Sequence, residues 1–127
     1  MKKKILLIED DQKLRENISE ILEIEGYDVD CAENGLIGIE KVSKFVPDLI
    51  ISDILMPEID GFGVLQKLLN SPETSTIPLI FLTAKVEVEN YKRGMNLGAV
   101  DYIHKPFHID DLLNAVKEIF KRMGPPI

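Results

Sequence analysis

Short, nearly continuous apolar runs alternate along this chain with longer stretches whose apolar residues recur every three or four positions. The strand candidates are Ile5–Ile8, Tyr27–Ala32, Leu49–Ser52, Leu79–Leu82 and Tyr102–His104. Three of them hold an uninterrupted apolar core, Ile5-Leu6-Leu7-Ile8, Leu49-Ile50-Ile51 and Leu79-Ile80-Phe81-Leu82. Such runs predict strands covered on both faces, as in a parallel sheet between helical layers. Asp28-Val29-Asp30-Cys31-Ala32 alternates polar and apolar instead, the pattern of an edge strand.

Between the runs, Leu14, Ile18, Ile21 and Leu22 share a helical face, and Gly26 stands where a helix C-terminal glycine belongs. Asp11 is the expected N-cap of that helix. Leu65, Leu68 and Leu69 mark a third helix opened by Asp60-Gly61, and a moderately amphipathic fourth is predicted over Val86–Leu97. The last helix aligns Leu112, Leu113, Val116, Ile119 and Phe120, with Asp110 and Asp111 in the first turn, where the helix dipole favours negative charge. His108 stands at its start, where a better capping residue is often found. The second helix is weakest by propensity, because Gly35 and Gly38 lie near its start and a glycine inside a helix costs about 1 kcal/mol relative to alanine.

Successive β-α units with right-handed crossovers predict an α/β fold, a doubly wound five-stranded parallel sheet with helices on both faces. Strand order 2-1-3-4-5 is the common solution for such units. No boundary or repeat interrupts residues 1–123, and Gly124-Pro125-Pro126 ends the last helix, so residues 124–127 read as a tail or the start of a linker.

Composition narrows the function classes. The 127 residues carry 22 acidic and 15 basic side chains, a formal charge of -7, which argues against direct nucleic-acid binding and against an anionic membrane surface. The apolar run after Lys2-Lys3-Lys4 stops at Glu9, too short for a secretory signal, and no run approaches the ~20 residues of a membrane span. The single cysteine, Cys31, cannot pair within the chain and reads as a buried structural thiol. A soluble cytoplasmic domain is expected.

Ligands of open α/β sheets sit beyond the carboxyl ends of the strands. Glu9, Asp10 and Asp11 follow the first predicted strand, Asp53 the third, Thr83 the fourth and Lys105 the fifth. Acidic groups crowded within about 4–5 Å repel by several kcal/mol at an effective dielectric near ~20, so Glu9, Asp10 and Asp53 need a compensating cation. Lys105 supplies one charge; a hard divalent ion such as Mg²⁺ supplies the rest and leaves room for a phosphate oxygen. The pattern suits metal-assisted phosphoryl transfer, with Asp53, at the end of a central strand, as the best nucleophile.

The strings Ile8-Glu9-Asp10-Asp11, Asp53-Ile54-Leu55-Met56-Pro57-Glu58-Ile59-Asp60-Gly61, Thr83-Ala84-Lys85 and Gly98-Ala99-Val100-Asp101-Tyr102-Ile103-His104-Lys105-Pro106-Phe107 closely resemble the CheY-like receiver domain of two-component response regulators. The resemblance covers nearly the whole chain. It implies that Glu9 and Asp10 hold Mg²⁺, that Asp53 is the phosphoacceptor, and that the backbone carbonyl of Leu55 completes the metal site. It implies further that Thr83 and Lys105 contact the phosphoryl oxygens, that Tyr102 is an aromatic switch residue, and that the Lys105-Pro106 bond is cis. Leu55 and Lys85 match positions that tune access of water to the acyl phosphate.

The implied partners are a histidine kinase or histidine phosphotransfer domain upstream and an effector domain or protein downstream. The implied output is a remodelled surface of the fourth helix, fifth strand and last helix, which is also where a homodimer would form. Beyond assisting its own phosphorylation and slow autodephosphorylation, such a domain is expected to be no enzyme.

Three rival readings are weaker. A flavin carrier of the same architecture needs a Ser/Thr/Gly-rich loop after the first strand, and acids stand there. An aspartate-nucleophile phosphatase wants a second aspartate at position 55, which is Leu55. A phosphorylation-independent scaffold with this fold is expected to have lost part of the set Glu9, Asp10, Asp53, Thr83 and Lys105, and all are present.

Overall fold

The computed structural model describes residues 2–83, 96, 98, 99 and 101–123. Five strands, β1 (Lys4–Ile8), β2 (Asp28–Ala32), β3 (Leu49–Asp53), β4 (Leu79–Thr83) and β5 (Asp101–His104), form one parallel sheet in the order β2-β1-β3-β4-β5. The described helices are α1 (Gln12–Ile24), α2 (Gly35–Phe45), α3 (Gly61–Leu69) and α4 (Ile109–Met123). Of the helix predicted over Val86–Leu97 only Asn96 is among the described residues, and 124–127 lie outside them.

Burial explains the two kinds of strand pattern. Every residue of the interior strands β3 and β4 is buried, as are the last four of β1, whereas the edge strands β2 and β5 are only partly covered. On one face α1 and α4 place Ile18, Leu22, Leu112 and Val116 against Ile5, Leu7, Ile51 and Leu82. On the other, α2 and α3 place Val42, Phe62, Val64 and Leu65 against Leu6, Ile8, Ile50 and Phe81. Cys31, on the edge, is half-buried rather than fully buried, and burial raises its thiol above the usual range, as suits an unreactive thiol.

Local signals set the helix ends. The Asp11 and Asp60 side chains accept from the N–H groups of Leu14 and Gly63, capping α1 and α3 as expected. At the end of α1, Gly26 takes φ 99°, and the Gly26 and Tyr27 N–H groups close on the carbonyls of Glu23 and Leu22, the paired bonds of a glycine-terminated helix.

The second helix is regular despite its glycines. A Cβ at Gly38 would collide with Cδ1 of Ile8, so glycine lets α2 lie directly on β1. Packing gained there outweighs the lost propensity.

Helix α2 ends less comfortably, because Val46 adopts φ 51° and ψ 66° with its side chain 63% exposed. A β-branched residue pays about 1–2 kcal/mol for this left-handed conformation and recovers little packing in return. Val46→Gly is therefore expected to stabilise the fold by about 0.5–1 kcal/mol after allowing for glycine's larger unfolded-state entropy. A thermal midpoint unchanged or lowered would refute this.

Candidate phosphoacceptor site

Strand register carries the polar residues to one rim. Ile8 pairs with Ser52, so Glu9 and Asp53 leave the sheet side by side. Asp53 pairs with Leu82 and Thr83 with His104, which sets Thr83 and Lys105 one step further out. The Lys105 N–H donates to the Thr83 carbonyl at 2.7 Å, and the following Lys105-Pro106 bond is cis.

The structure brings the three expected acids together. Oxygens of Glu9, Asp10 and Asp53 lie within 4.8 Å of one another. Glu9 is fully buried, Asp53 is 6% exposed and Asp10 is open to solvent. Lys105 Nζ donates to Glu9 Oε1 at 2.7 Å and to Asp53 Oδ2 at 3.2 Å. The other oxygen of each is also engaged: Glu9 Oε2 accepts from the Asp11 N–H at 3.1 Å, and Asp53 Oδ1 from the Leu55 N–H at 3.3 Å. The Ser52 hydroxyl, buried beside them, donates to the Asp53 carbonyl at 2.9 Å.

Electrostatics mark the cluster as short of positive charge. Burial pushes the Glu9 carboxyl up to about 7, against the lowering effect of the Lys105 hydrogen bond. Burial alone would lower the Lys105 ammonium, but its hydrogen bond to Glu9 and the charges of Asp53 and Glu9 outweigh that and raise it. Among the described residues, Lys105 and the Arg15 guanidinium at the Glu9 carbonyl bring two positive charges to three carboxylates, which leaves the rim net negative. The donor set is all oxygen, which fits a hard cation such as Mg²⁺.

Thr83 is fully buried at the end of β4. Tyr102 is half-buried on β5, paired with Phe81, and its ring meets the Phe81 ring edge-on at 6.5 Å between centroids. Side chains alternate along a strand, so Phe81 and Thr83 share the face on which Tyr102 packs. Leu55 is 47% exposed beside Asp53. Lys85 lies outside the described residues. Two contributors were not anticipated from sequence: Ser52, hidden in an apolar run, and Arg15, whose guanidinium donates to the Glu9 carbonyl at 2.8 Å.

Among the described residues no helix is long and apolar enough to cross a membrane. A family model described as the response regulator receiver domain matches residues 5–117. The probable transcriptional regulator ycf29 of Porphyra purpurea is 41% identical over 93% of this chain and 56% of its own length. The DNA-binding dual master transcriptional regulator RpaA of Synechocystis is 37% identical over 94% and 49%. The chain therefore spans about half the length of these curated relatives. Among solved structures, a two-component response regulator from Clostridium difficile superposes with a TM-score of 0.91 at 30% identity, covering 98% of this chain and all of that one. A CheY-like receiver domain from Methanospirillum hungatei JF-1 superposes with a TM-score of 0.90 at 31% identity, covering 96% of each. The sheet order, the rim of acids and lysine, and these likenesses agree: this chain belongs to the response regulator receiver domain family.

Proposed function

We propose that this domain accepts a phosphoryl group on Asp53 from a phosphohistidine donor, with Mg²⁺ held by Glu9, Asp10 and Asp53 and by the Leu55 carbonyl. The observation that carries this reading is the Lys105 ammonium lying between Glu9 and Asp53, within 3.2 Å of both. It leaves an anionic oxygen nucleophile beside a fixed cation, on a rigid strand end.

When bound, Mg²⁺ supplies charge neutralisation at the incoming phosphoryl oxygens. The chain's own groups do the rest. Asp53 attacks phosphorus while the phosphohistidine nitrogen leaves, Lys105 moves from carboxylate to phosphoryl oxygen, and the Thr83 hydroxyl donates to another. Withdrawal of Thr83 toward β3 frees space on the face it shares with Phe81 and Tyr102. Tyr102 turns into it and carries the change to the surface around β5 and α4.

A phosphodonor protein must cover this rim. Next to it runs an apolar groove of about 310 Å³ between α1 and the β5–α4 connection, lined by Leu14, Ile18, Ile21, Pro106 and Phe107, which supports a helical donor docking there. The domain extends to Met123 in this reading, and an effector domain or protein reads its output. Cytoplasmic placement accords with the single unpaired thiol.

The test is labelling by acetyl phosphate, read by intact mass. One phosphoryl group is expected with Mg²⁺ and none with EDTA; equal labelling in both would remove the metal from the reading. Proton and metal also compete for Glu9. With its carboxyl at about 7, Mg²⁺ affinity is expected to rise by up to about tenfold per pH unit below that value and level off above it. The metal-free fold behaves oppositely: it binds this proton more tightly than the unfolded chain, so its stability falls as pH rises from 4.5 to about 7. Calorimetric Mg²⁺ affinity that stays flat from pH 6 to 8 would contradict the first expectation.

A further inference from the structure

The acids of the pocket are joined by a peptide bond that one remote side chain grips. Glu9 and Asp10 are consecutive, so the Glu9 carbonyl and the Asp10 N–H lie in a single rigid plane. The tilt of that plane sets the directions in which both side chains leave the backbone. Other contacts at Glu9 act elsewhere. Its N–H, which donates to the Ala32 carbonyl at 3.0 Å, belongs to the preceding peptide, and the Asp11 N–H that reaches its carboxylate belongs to the following one. Arg15, one turn into α1, donates from its guanidinium to the Glu9 carbonyl at 2.8 Å. Its own N–H is fixed in the helix by the Asp11 carbonyl at 2.9 Å.

We propose that Arg15 is a positioning residue for the metal pocket: it ties the Glu9-Asp10 peptide to α1 and so aims both carboxylates at one point. The proposal rests on the reading that Glu9 and Asp10 hold Mg²⁺. Mg²⁺ demands near-octahedral geometry at about 2.0–2.1 Å, and loss of a group that orients its ligands typically weakens binding by about 10–100-fold.

Charge alone acts in the opposite direction. Removing a cation near three carboxylates strengthens their attraction for Mg²⁺. The sign of the change therefore separates positioning from electrostatics.

The experiment is Mg²⁺ titration by calorimetry at pH 8 on the unsubstituted chain, Arg15→Met and Arg15→Lys, with thermal midpoints of the metal-free proteins measured alongside. Arg15→Met, which keeps much of the apolar stem, is expected to weaken Mg²⁺ about tenfold. Arg15→Lys, which keeps the charge but lacks the planar fork, falls between. Unchanged or tighter Mg²⁺ binding overturns the proposal, including the case where only the midpoint drops. Should Arg15→Met not fold, Arg15→Lys decides by the same criterion. If the unsubstituted chain binds no Mg²⁺, the reading of the site falls and this proposal falls with it.

Discussion

Asp53→Asn abolishes the phosphoryl label from acetyl phosphate while the chain stays folded. Asparagine is nearly the same size, so the fully buried end of β3 and the Ser52 hydroxyl bond to the backbone carbonyl at 2.9 Å are kept. The chemistry is not kept, because an amide offers no anionic oxygen to attack phosphorus. Neither neighbouring acid substitutes readily. Glu9 is fully buried, with both oxygens engaged by Lys105 and the Asp11 N–H. Asp10 is exposed and held by no rigid strand. Intact-mass analysis of wild-type and variant after the same incubation decides the matter, with circular dichroism confirming the fold. Labelling of the variant at the wild-type level would place the acceptor elsewhere, with Asp10 the first to examine.

Much of this arrangement was legible in the sequence because it follows from one-dimensional rules. Continuous apolar runs distinguished the interior strands from the alternating edge strand β2, and the aspartates at 11 and 60 with the glycine at 26 marked helix ends. The site was legible because a parallel sheet delivers all strand ends to one rim. Strand ends were read one residue short at Asp53 and Thr83, since hydrophobicity stops there while the pairing continues through Asp53–Leu82 and Thr83–His104. Gly38 looked like a defect because propensity ignores what lies across the interface, and only the nearness of Ile8 shows why a side chain is excluded. Nothing in the sequence sets Arg15 apart from the other charged residues of α1. Its reach back to the Glu9 carbonyl depends on how α1 leaves β1, which no residue pattern encodes.

Phe81→Ala is expected to cost about 3–5 kcal/mol, the range for removing a fully buried phenylalanine and leaving a cavity. Phe81 has no exposed surface, and its ring packs edge-on against Phe62 of α3 at 5.2 Å and Tyr102 of β5 at 6.5 Å between centroids. Losing it removes ring packing against two elements, α3 and β5, at once. Since small domains are stable by only about 5–15 kcal/mol, the thermal midpoint should fall by about 10–20 °C. Phe81→Leu, which refills much of the volume, should recover more than half of the loss, and a cost below about 1 kcal/mol for the alanine variant would mean that the ring is not a keystone of this face. The functional consequence follows from position. Thr83 lies two residues along the same strand face, so an alanine at 81 opens space for Tyr102 whether or not Asp53 is phosphorylated. Below its lowered midpoint the variant should therefore still accept the phosphoryl group, because Glu9, Asp53 and Lys105 are untouched, while the near-ultraviolet signal of Tyr102 ceases to respond to it.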